Sequence, residues 1–338
     1  MDLPAFTKMT DLAAEKLGGK ALACSDDFFA GMENLLKPGR GIFIADKYTE
    51  RGKWMDGWES RRKRGPGHDW CIIRLATAGK IHGVDIDTNY FLGNHPPFAS
   101  LEASNIADAQ TEDFGKTEWT EILPKSPLAP GSQNLYKISN QQIYTHLRLN
   151  IYPDGGVARL KVYGEVIKDW SRVSEGEELD LAATINGAQS IVCNDMFFSH
   201  MDNLLMPGKG SNMGDGWETK RSRIAGNKDW VIIRLAHEGS IHKILIDTAH
   251  FKGNFPDSCM IEGCGISPGQ IVDFTSGEIK WTVLLPQVKL EADHEHYFEK
   301  EIATFQLFTH VRLTIFPDGG ISRMRLYGKP VSPVKGMI

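Results

Sequence analysis

The feature that most constrains this sequence is an internal duplication, because two long segments repeat one another in the same order. Residues 24–41 match residues 193–210 at an offset of 169 (193 − 24), and residues 56–64 match residues 215–223 at an offset of 159 (215 − 56). The first copy therefore carries ten extra residues (169 − 159), which we expect to lie in a loop within residues 42–55.

Three further blocks recur in both copies. They pair residues 69–76 with 229–236, residues 86–96 with 246–256, and residues 144–156 with 308–320. We place the first repeat, with an N-terminal extension, at residues 1–170 and the second at residues 183–332. Residues 171–182 are polar and lack periodicity, which predicts a linker.

The matched blocks predict β-strands, because they are short, rich in β-branched and aromatic residues, and bounded by turn residues. Leu147, Leu149 and Ile151 alternate with polar residues, which is typical of a strand with one buried face. The turn at residues 153–156 predicts a hairpin with residues 157–164, and the same hairpin is expected at residues 309–328. The clearest predicted helix is residues 11–17.

These elements together predict an all-β chain, built as a tandem repeat of two jelly-roll β-sandwich domains with minor helix. The composition excludes some classes of function. Lys and Arg number 38 against 43 Asp and Glu, a net charge of −5, which gives no basis for binding nucleic acid or an anionic membrane. Five cysteines without a C-x-x-C pair, and no apolar span or export signal, predict a soluble cytoplasmic protein.

No known catalytic motif is present, so the candidate functional residues are polar residues kept in both copies. His82 and His242 share a strand face with aliphatic residues, which favours buried structural histidines. His146 and His310 lie opposite the apolar face, next to Arg148 and Arg312, and offer a titrating group beside a positive charge if that face lines a cleft. The alternative is an exposed strand face.

Two polar segments also recur in both repeats. The first pairs a carboxylate-bearing loop with an arginine and consists of Asp56, Glu59 and Arg62, repeated as Asp215, Glu218 and Arg221. The second follows a predicted buried strand and consists of Asp87, Asn94 and Glu102, repeated as Asp247, Asn254 and Glu262. The alternatives are a surface ion-pair cluster and ordinary turn residues. Their carboxylates offer oxygen ligands to a divalent metal, but no spacing fixes one, so the metal requirement stays open.

The repeated blocks Asp-Gly-Trp-Glu at residues 56–59 and 215–218, and Thr-His-(Leu/Val)-Arg-Leu at residues 145–149 and 309–313, closely resemble the allantoicase family. The resemblance spans about residues 17–328. It implies galactose-binding-like jelly rolls, homo-oligomers, and the hydrolysis of allantoate to (S)-ureidoglycolate and urea in allantoin and purine (ureide) degradation. Such an enzyme is a hydrolase of C–N bonds in linear amidines.

The implied substrate assigns hypothetical roles to these residues. Its carboxylate calls for arginine, with Arg62 or Arg148 as candidates and Arg221 or Arg312 in the second copy. Its ureido N–H groups need acceptors such as Asp87, Asn94 and Glu102. Attack of water, or loss of one arm through an imine-like intermediate, needs a base and an acid.

We assign Glu59 as the base and His146 as the acid, with Glu218 and His310 as their counterparts. Both motif sets are expected to matter, as two sites or as one shared site. The rival readings are a non-catalytic tandem jelly-roll protein that binds a ligand or sugar, and a structural subunit whose second repeat serves only assembly.

Overall fold

The computed structural model describes residues 3–106 and 114–331, and it divides the chain into two compact units, Met1–Lys168 and Asp169–Ile338. The described residues form β-strands and short 3-10 turns without an α-helix. This confirms the predicted all-β, two-repeat architecture. No helix among the described residues is long and apolar enough to cross a bilayer.

The described residues of the first unit, 3–106 and 114–168, form twelve strands. They are β1 Thr10–Asp11, β2 Lys20–Cys24, β3 Tyr48–Thr49, β4 Gly52–Lys53, β5 Trp58–Glu59, β6 Asp69–Asp87, β7 Phe98–Ser104, β8 Thr120–Pro127, β9 Leu135–Lys137, β10 Ile143–Tyr152, β11 Gly156–Val157 and β12 Arg159–Val166. Its 3-10 turns are Ala5–Lys8, Glu15–Leu17, Met32–Leu36 and Phe114–Lys116.

The long strand β6 organises this unit, because its two halves have different neighbours. Its first half pairs with β2 and β10, and β10 continues the sheet to β7 and β8. Its second half pairs with β12 and β9, and β12 continues to β1. The side chains of both halves meet in one apolar core. Strand β6 therefore joins the two layers of a β-sandwich.

The second unit repeats this plan. Its strands are β13 Leu179–Asp180, β14 Gln189–Cys193, β15 Trp217–Glu218, β16 Asp229–Asp247, β17 Ser258–Cys264, β18 Thr282–Lys289, β19 Glu295–Phe298, β20 Phe308–Phe316, β21 Gly320–Ile321 and β22 Arg323–Pro330. Its 3-10 turns are Trp170–Arg172, Thr184–Asn186, Met201–Leu205 and Met213–Asp215. Strand β16 pairs with β14, β20, β22 and β19, as β6 does with their counterparts.

The buried stripe predicted for β10 is confirmed, since Leu147, Leu149 and Ile151 are fully buried. The predicted hairpin is wrong. Strands β10 and β12 do not pair with each other but pair with opposite halves of β6, and β11 pairs with β5. The glycine-rich turn instead carries the chain from one layer of the sandwich to the other, and β20, β21 and β22 follow the same path.

The predicted helix at residues 11–17 is also wrong in its extent. Only Glu15–Leu17 turns, as a 3-10 helix, and Gly18 ends it at φ 107°. Asp11 belongs to β1, where its Oδ1 accepts the N–H of Ala13 at 3.1 Å and of Val162 at 2.9 Å. The contact with Val162, 151 positions away, fixes the segment at the sheet edge, and the chain then forms a single turn.

Candidate active site

The first repeat closes its inserted loop with a buried ion pair. Asp56 Oδ2 accepts the N–H of Ile42 at 2.9 Å and Nη2 of Arg159 at 2.6 Å. Both side chains of the ion pair are buried, with exposed fractions of 8% and 3%. The predicted substrate ligand Asp56 therefore ties together the two ends of residues 42–55.

The insertion is a loop, as predicted, and it carries the small hairpin β3–β4. Its residues from Ile42 to Gly52 are exposed. Directly after it, the fully buried Trp58 donates its indole N–H to the carbonyl oxygen of Asp26 at 2.8 Å. This buried indole anchors β5, and Glu59 follows on the same two-residue strand.

Glu59 meets Asn94 at the sheet edge. Asn94 Nδ2 donates to Glu59 Oε1 at 2.6 Å. The backbone of Glu59 is fixed by Ala30 on one side and by Gly156 of β11 on the other. Burial raises the pKa of the Glu59 carboxyl, and the hydrogen bond from Asn94 opposes that shift. The pair is thus a fixed, partly desolvated carboxylate beside an amide.

A cavity of about 380 Å³ opens over this pair. Its wall combines the carboxylate and amide with aromatic rings and two cations, and consists of Phe29, Phe43, Arg51, Gly52, Lys53, Met55, Glu59, Tyr90, Leu92, Gly93 and Asn94. Phe43 and Tyr90 stack with ring centroids 5.5 Å apart. The cavity offers hydrogen-bond acceptors and positive charge within one small volume.

Asp87 does not reach this cavity. It is buried and accepts two hydrogen bonds from Arg40, at 2.7 Å and 2.8 Å, as well as the N–H of Asn89 at 2.9 Å. A bidentate arginine and a backbone donor satisfy its carboxylate. Asp87 therefore fixes the start of the loop that leads from β6 to Asn94.

The other candidates of the first repeat form a second cluster, on β7 and β10. Glu102 Oε2 accepts Nε of Arg148 at 2.7 Å and Nδ2 of Asn150 at 2.8 Å. The guanidinium carbon of Arg148 lies 5.1 Å from the ring centroid of Trp119. Arg148 is thus engaged by a carboxylate and an indole, whereas Arg62 is exposed and lies outside the wall of the cavity.

His146 is buried beside the Glu102 cluster. Its Nδ1 lies 2.9 Å from Thr145 Oγ1, and burial together with the charge of Arg74 lowers its pKa. Because β10 advances about 3.3 Å per residue, His146 lies about 20 Å along the strand from Tyr152, where the turn to Gly156 and Glu59 begins. The structure does not bring His146 and Glu59 together within one unit.

The second repeat preserves most of these contacts. Asp215 Oδ2 accepts the N–H of Ser211 at 2.9 Å and Nη2 of Arg323 at 3.2 Å. Asn254 donates to Glu218, and Arg312 Nη2 donates to Glu262 at 2.6 Å. These contacts repeat the loop closure, the carboxylate–amide pair and the strand cluster, and Arg221 is exposed like Arg62.

Two positions differ in the second repeat. In place of Arg40 the second repeat has Lys209, which pairs with Glu295 at 2.8 Å. Burial raises the pKa of Asp247. His310 lines a cavity of about 850 Å³ with Phe274 and Thr309. Burial and the charge of Arg234 lower the pKa of His310 to about 4.

The prediction that His82 and His242 are core histidines is wrong. A bulge in β6 puts Ile81 and Val84 on the buried face, and His82 is 29% exposed, with Nε2 3.2 Å from Glu165 Oε1. His242 is half-buried and stacks on Phe305 at 5.1 Å. Among residues 3–106 and 114–331, no three His, Cys, Asp or Glu side chains come together as a metal-binding group.

Four residues near the candidate site were not singled out by the sequence analysis. Arg159, the partner of Asp56, recurs as Arg323 in the second copy, so comparison of the copies offered a signal for it. Arg40, the partner of Asp87, is replaced by Lys209 and offered none. Arg51 and Lys53 lie in the insertion, which a comparison of the two copies leaves out. The insertion itself, next to a repeated Asp-Gly-Trp-Glu block, was the available signal.

The fold and the site define a tandem β-sandwich protein with a carboxylate-centred cavity at a loop edge of its first unit. The family model described as the allantoicase repeat matches residues 10–167 and 179–331. The chain belongs to the allantoicase family, which confirms the resemblance and the paired jelly-roll, galactose-binding-like architecture.

Relatives of known name cover almost the whole chain. A probable allantoicase of Pseudomonas fluorescens Pf-5 is 50% identical over 325 residues, which cover 96% of this chain and 97% of the relative. A probable allantoicase of Burkholderia mallei is 48% identical, with 96% of each chain covered. The crystal structure of allantoicase from Saccharomyces cerevisiae is 40% identical, covers 95% of this chain and 93% of its own, and superposes with a TM-score of 0.78.

Proposed function

We propose that the cavity around Glu59 in the first unit is where this chain hydrolyses allantoate to ureidoglycolate and urea, a step of allantoin and purine degradation. Membership of the allantoicase family supports the reaction. The observation that carries the location is the Glu59–Asn94 pair, which is held at 2.6 Å within a cavity of about 380 Å³. That volume suits a small polar substrate.

The chemistry of allantoate fits this wall. One carbon bears a carboxylate and two ureido arms, so the substrate needs a cation and several hydrogen-bond acceptors. Glu59 and the amide oxygen of Asn94 supply acceptors for ureido N–H groups. Leu92 and the stacked rings of Phe43 and Tyr90 supply an apolar part of the wall.

Glu59 acts as the base and then as the acid. Water attacks the central carbon and gives one proton to Glu59, while the bond from that carbon to one ureido nitrogen breaks. The oxygen keeps its second proton and becomes the hydroxyl of ureidoglycolate. Glu59 passes the first proton to the departing nitrogen, which leaves as urea, so the carboxylate is regenerated.

The raised pKa of Glu59 suits both steps. A carboxylate whose pKa lies closer to neutrality is a stronger base toward water, and its protonated form still transfers a proton to the leaving nitrogen. Burial supplies this shift, and the hydrogen bond from Asn94 opposes it. The environment of the residue therefore matches its proposed role.

The histidines are weaker candidates for the acid. His146 and His310 have lowered pKa values, so both are neutral at pH 7 and donate a proton less readily. His146 also lies about 20 Å along β10 from the turn toward Glu59. Their assignment as acids, and that of Glu218 as a second base, stay predictions.

We also propose that the enzyme acts in the cytoplasm as a homo-oligomer. All five cysteines are free thiols, which suits a reducing compartment. The linker at residues 171–182 stays a prediction, and its last part contributes β13 to the second unit. Oligomer number is measured directly by sedimentation of the purified chain.

The decisive experiment is urea release from allantoate by the purified protein, with allantoin and arginine as control substrates. We expect release from allantoate alone, and a loss of about 10²- to 10⁴-fold in kcat for Glu59→Gln, as for removal of a general base. Glu121→Gln, an exposed carboxylate on β8, is the matched control. If the wild-type protein releases no urea from allantoate, a non-catalytic tandem jelly-roll protein that binds a ligand or sugar becomes the better interpretation.

A further inference from the structure

The insertion of the first repeat presents two cations to the cavity. Strands β3 and β4 pair through Tyr48 with Lys53 and Thr49 with Gly52. Thr49 Oγ1 accepts the N–H of Arg51 at 3.1 Å, and Gly52 adopts φ 130°, a conformation that favours glycine. The tight hairpin turn thereby sets the positions of Arg51 and Lys53.

Arg51 is held by aromatic and backbone contacts that leave part of its guanidinium available. Its Nη1 donates to the carbonyl oxygen of Phe28 at 2.9 Å, and its guanidinium carbon lies 5.0 Å from the Phe28 ring centroid. Lys53 Nζ lies 4.5 Å from the ring centroid of Phe43. In the part of the chain that the structure describes, neither cation forms an ion pair with a carboxylate.

We propose that Arg51 and Lys53 bind the carboxylate of the substrate, and that this makes the first unit the hydrolytic one. The inference rests on the function proposed above. Both cations line the same cavity as Glu59, so the cavity offers positive charge for the anionic group together with the base. A planar guanidinium with free N–H donors is the group that best matches a carboxylate.

This assignment replaces the earlier arginine candidates of the first repeat with Arg51. Arg148 is engaged by Glu102 at 2.6 Å, and Arg62 lies outside the wall of the cavity. Arg40 is bound to Asp87 and Arg159 to Asp56. Arg51 is the arginine that lines the cavity and keeps donors available for a ligand.

The second repeat has the carboxylate–amide pair but not the hairpin. Residues 42–55 number fourteen (55 − 42 + 1), whereas residues 211–214 between the same flanking positions number four (214 − 211 + 1). These four are Ser, Asn, Met and Gly, without a cation. Glu218 and Asn254 therefore lack the cations that the insertion supplies to Glu59.

Binding of a substrate-like inhibitor tests this role directly. Ureidoacetate carries one ureido arm and a carboxylate, and its primary amide is the same molecule without the charge. For Arg51→Met we expect the inhibition constant of ureidoacetate to rise about 10- to 100-fold, as for loss of a charged hydrogen-bond partner, with that of the amide unchanged. Arg51→Lys keeps the positive charge, so its inhibition constant for ureidoacetate should lie between those of the wild type and Arg51→Met.

Lys47→Met is the matched control, since Lys47 lies in the same insertion, places Nζ 3.8 Å from the Trp54 ring centroid and does not line the cavity. Equal changes for ureidoacetate and its amide, or no change for either, would overturn the proposal. If wild-type protein releases urea while Arg51→Met binds ureidoacetate normally, this inference fails and the proposed function stands.

A loop exchange tests the role of the insertion in a second way. Replacing residues 42–55 by Ser-Asn-Met-Gly copies the short span that Asp215 closes in the second unit. We expect urea release to fall at least about 100-fold while the melting temperature stays near that of the wild type. If the folded exchange variant releases urea at the wild-type rate, the proposal is contradicted. If the variant does not fold, the inhibition constants of Arg51→Met test the proposal instead.

Discussion

Asp56 and Arg159, 103 positions apart in the sequence, form a buried ion pair of 2.6 Å. Asp56 also accepts a hydrogen bond from the backbone N–H of Ile42. Its counterpart, Asp215 with Arg323, captures Ser211 in the same way. One arrangement therefore closes a long loop in the first unit and a short one in the second. The shared Asp-Gly-Trp-Glu block thus has a structural role at its first residue and a proposed chemical role at its last.

Breaking this ion pair should destabilise the first unit and disturb the cavity. Asp56→Ala leaves the guanidinium of Arg159 buried without its carboxylate, and removing one partner of such a pair costs about 3–5 kcal/mol. The insertion also loses its anchor at Ile42, so urea release should fall in the protein that remains folded. Chemical denaturation and the urea assay measure the two effects.

Asp257→Ala is the control for that experiment. Asp257 pairs with Lys289 at 2.6 Å, but both side chains are more than half exposed. Exposed pairs contribute little to stability, so this variant should unfold like the wild type. A comparable loss of stability in both variants would show that burial of the Asp56 pair is not what matters.

Gly156→Ala should strain the support of Glu59. A Cβ at this position would lie 2.0 Å from Cε1 of Phe91, which is fully buried, and Gly156 pairs with Glu59 across β11 and β5. Overpacking of this kind costs about 1–3 kcal/mol and shifts the backbone. We expect a lower melting temperature and a lower kcat, measured by calorimetry and urea release.

Gly65→Ala serves as its comparison, because a Cβ there meets nothing within 4 Å and the residue has no left-handed φ. Gly320→Ala repeats the overpacking in the second unit, where the Cβ would lie 1.9 Å from Phe251. It should lower stability but spare urea release. If Gly320→Ala lowered kcat as much as Gly156→Ala, the assignment of catalysis to the first unit would be wrong.

Asn94→Ala should move the acid limb of the pH–rate profile to higher pH. Burial raises the pKa of Glu59, and the hydrogen bond from Asn94 lowers it, so removal of the amide raises that pKa further. The base must be ionised, so activity is lost as pH falls through its pKa, and the variant loses activity at a higher pH. The measurement is kcat/KM for allantoate between pH 4 and 8.

The control profile comes from Lys47→Met, which should keep the wild-type limb. A limb in Asn94→Ala that stays at the wild-type pH, whatever the absolute rate, would be evidence against Glu59 as the titrating base. The position of the limb is informative even though Asn94 lines the cavity and its loss also weakens binding.

His310 should make stability pH-dependent. Its pKa is about 4 in the folded chain and 6.5 when unperturbed, because burial and Arg234 disfavour the charged ring. The unfolded chain therefore binds a proton first, and stability that is complete above pH 6.5 is lost as pH falls toward 4. At pH 5 this loss amounts to about 2 kcal/mol.

The test compares wild type with His310→Gln by denaturant unfolding at pH 7.5 and pH 5. The variant lacks the titrating group, so the stability difference between the two proteins should narrow at pH 5. A difference that is the same at both pH values would contradict the assignment.

Much of the fold could be predicted because its signals are local or repeated. The alternation around Leu149 identified a half-buried strand, and the recurrence of the blocks identified two units. The pairing of β10 and β12 could not be predicted from the Asp-Gly-Gly turn, because β6 is 19 residues long and reaches both layers. Turn chemistry favours a hairpin but does not show that a distant strand lies between its arms.

The candidate site was predictable in part for a related reason. Glu59 and Asn94 stood out as polar residues kept in both copies, and they meet at 2.6 Å. Arg51 could not stand out, since comparing two copies shows only what they share. His146 was placed correctly opposite the apolar stripe, but its side chain is buried beside Thr145 and Phe114 and does not lie on an exposed strand face.

The loop closure at Asp56 and Asp215 also matters for protein engineering. The same buried ion pair closes a loop of fourteen residues in the first unit and a loop of four residues in the second, each between a glycine and an aspartate. The length of this loop can therefore change without a change in the β-sandwich. The chain contains a long and a short version of this loop, each on its own β-sandwich unit. New specificities can therefore be sought by varying residues 42–55 while the rest of the sequence stays unchanged.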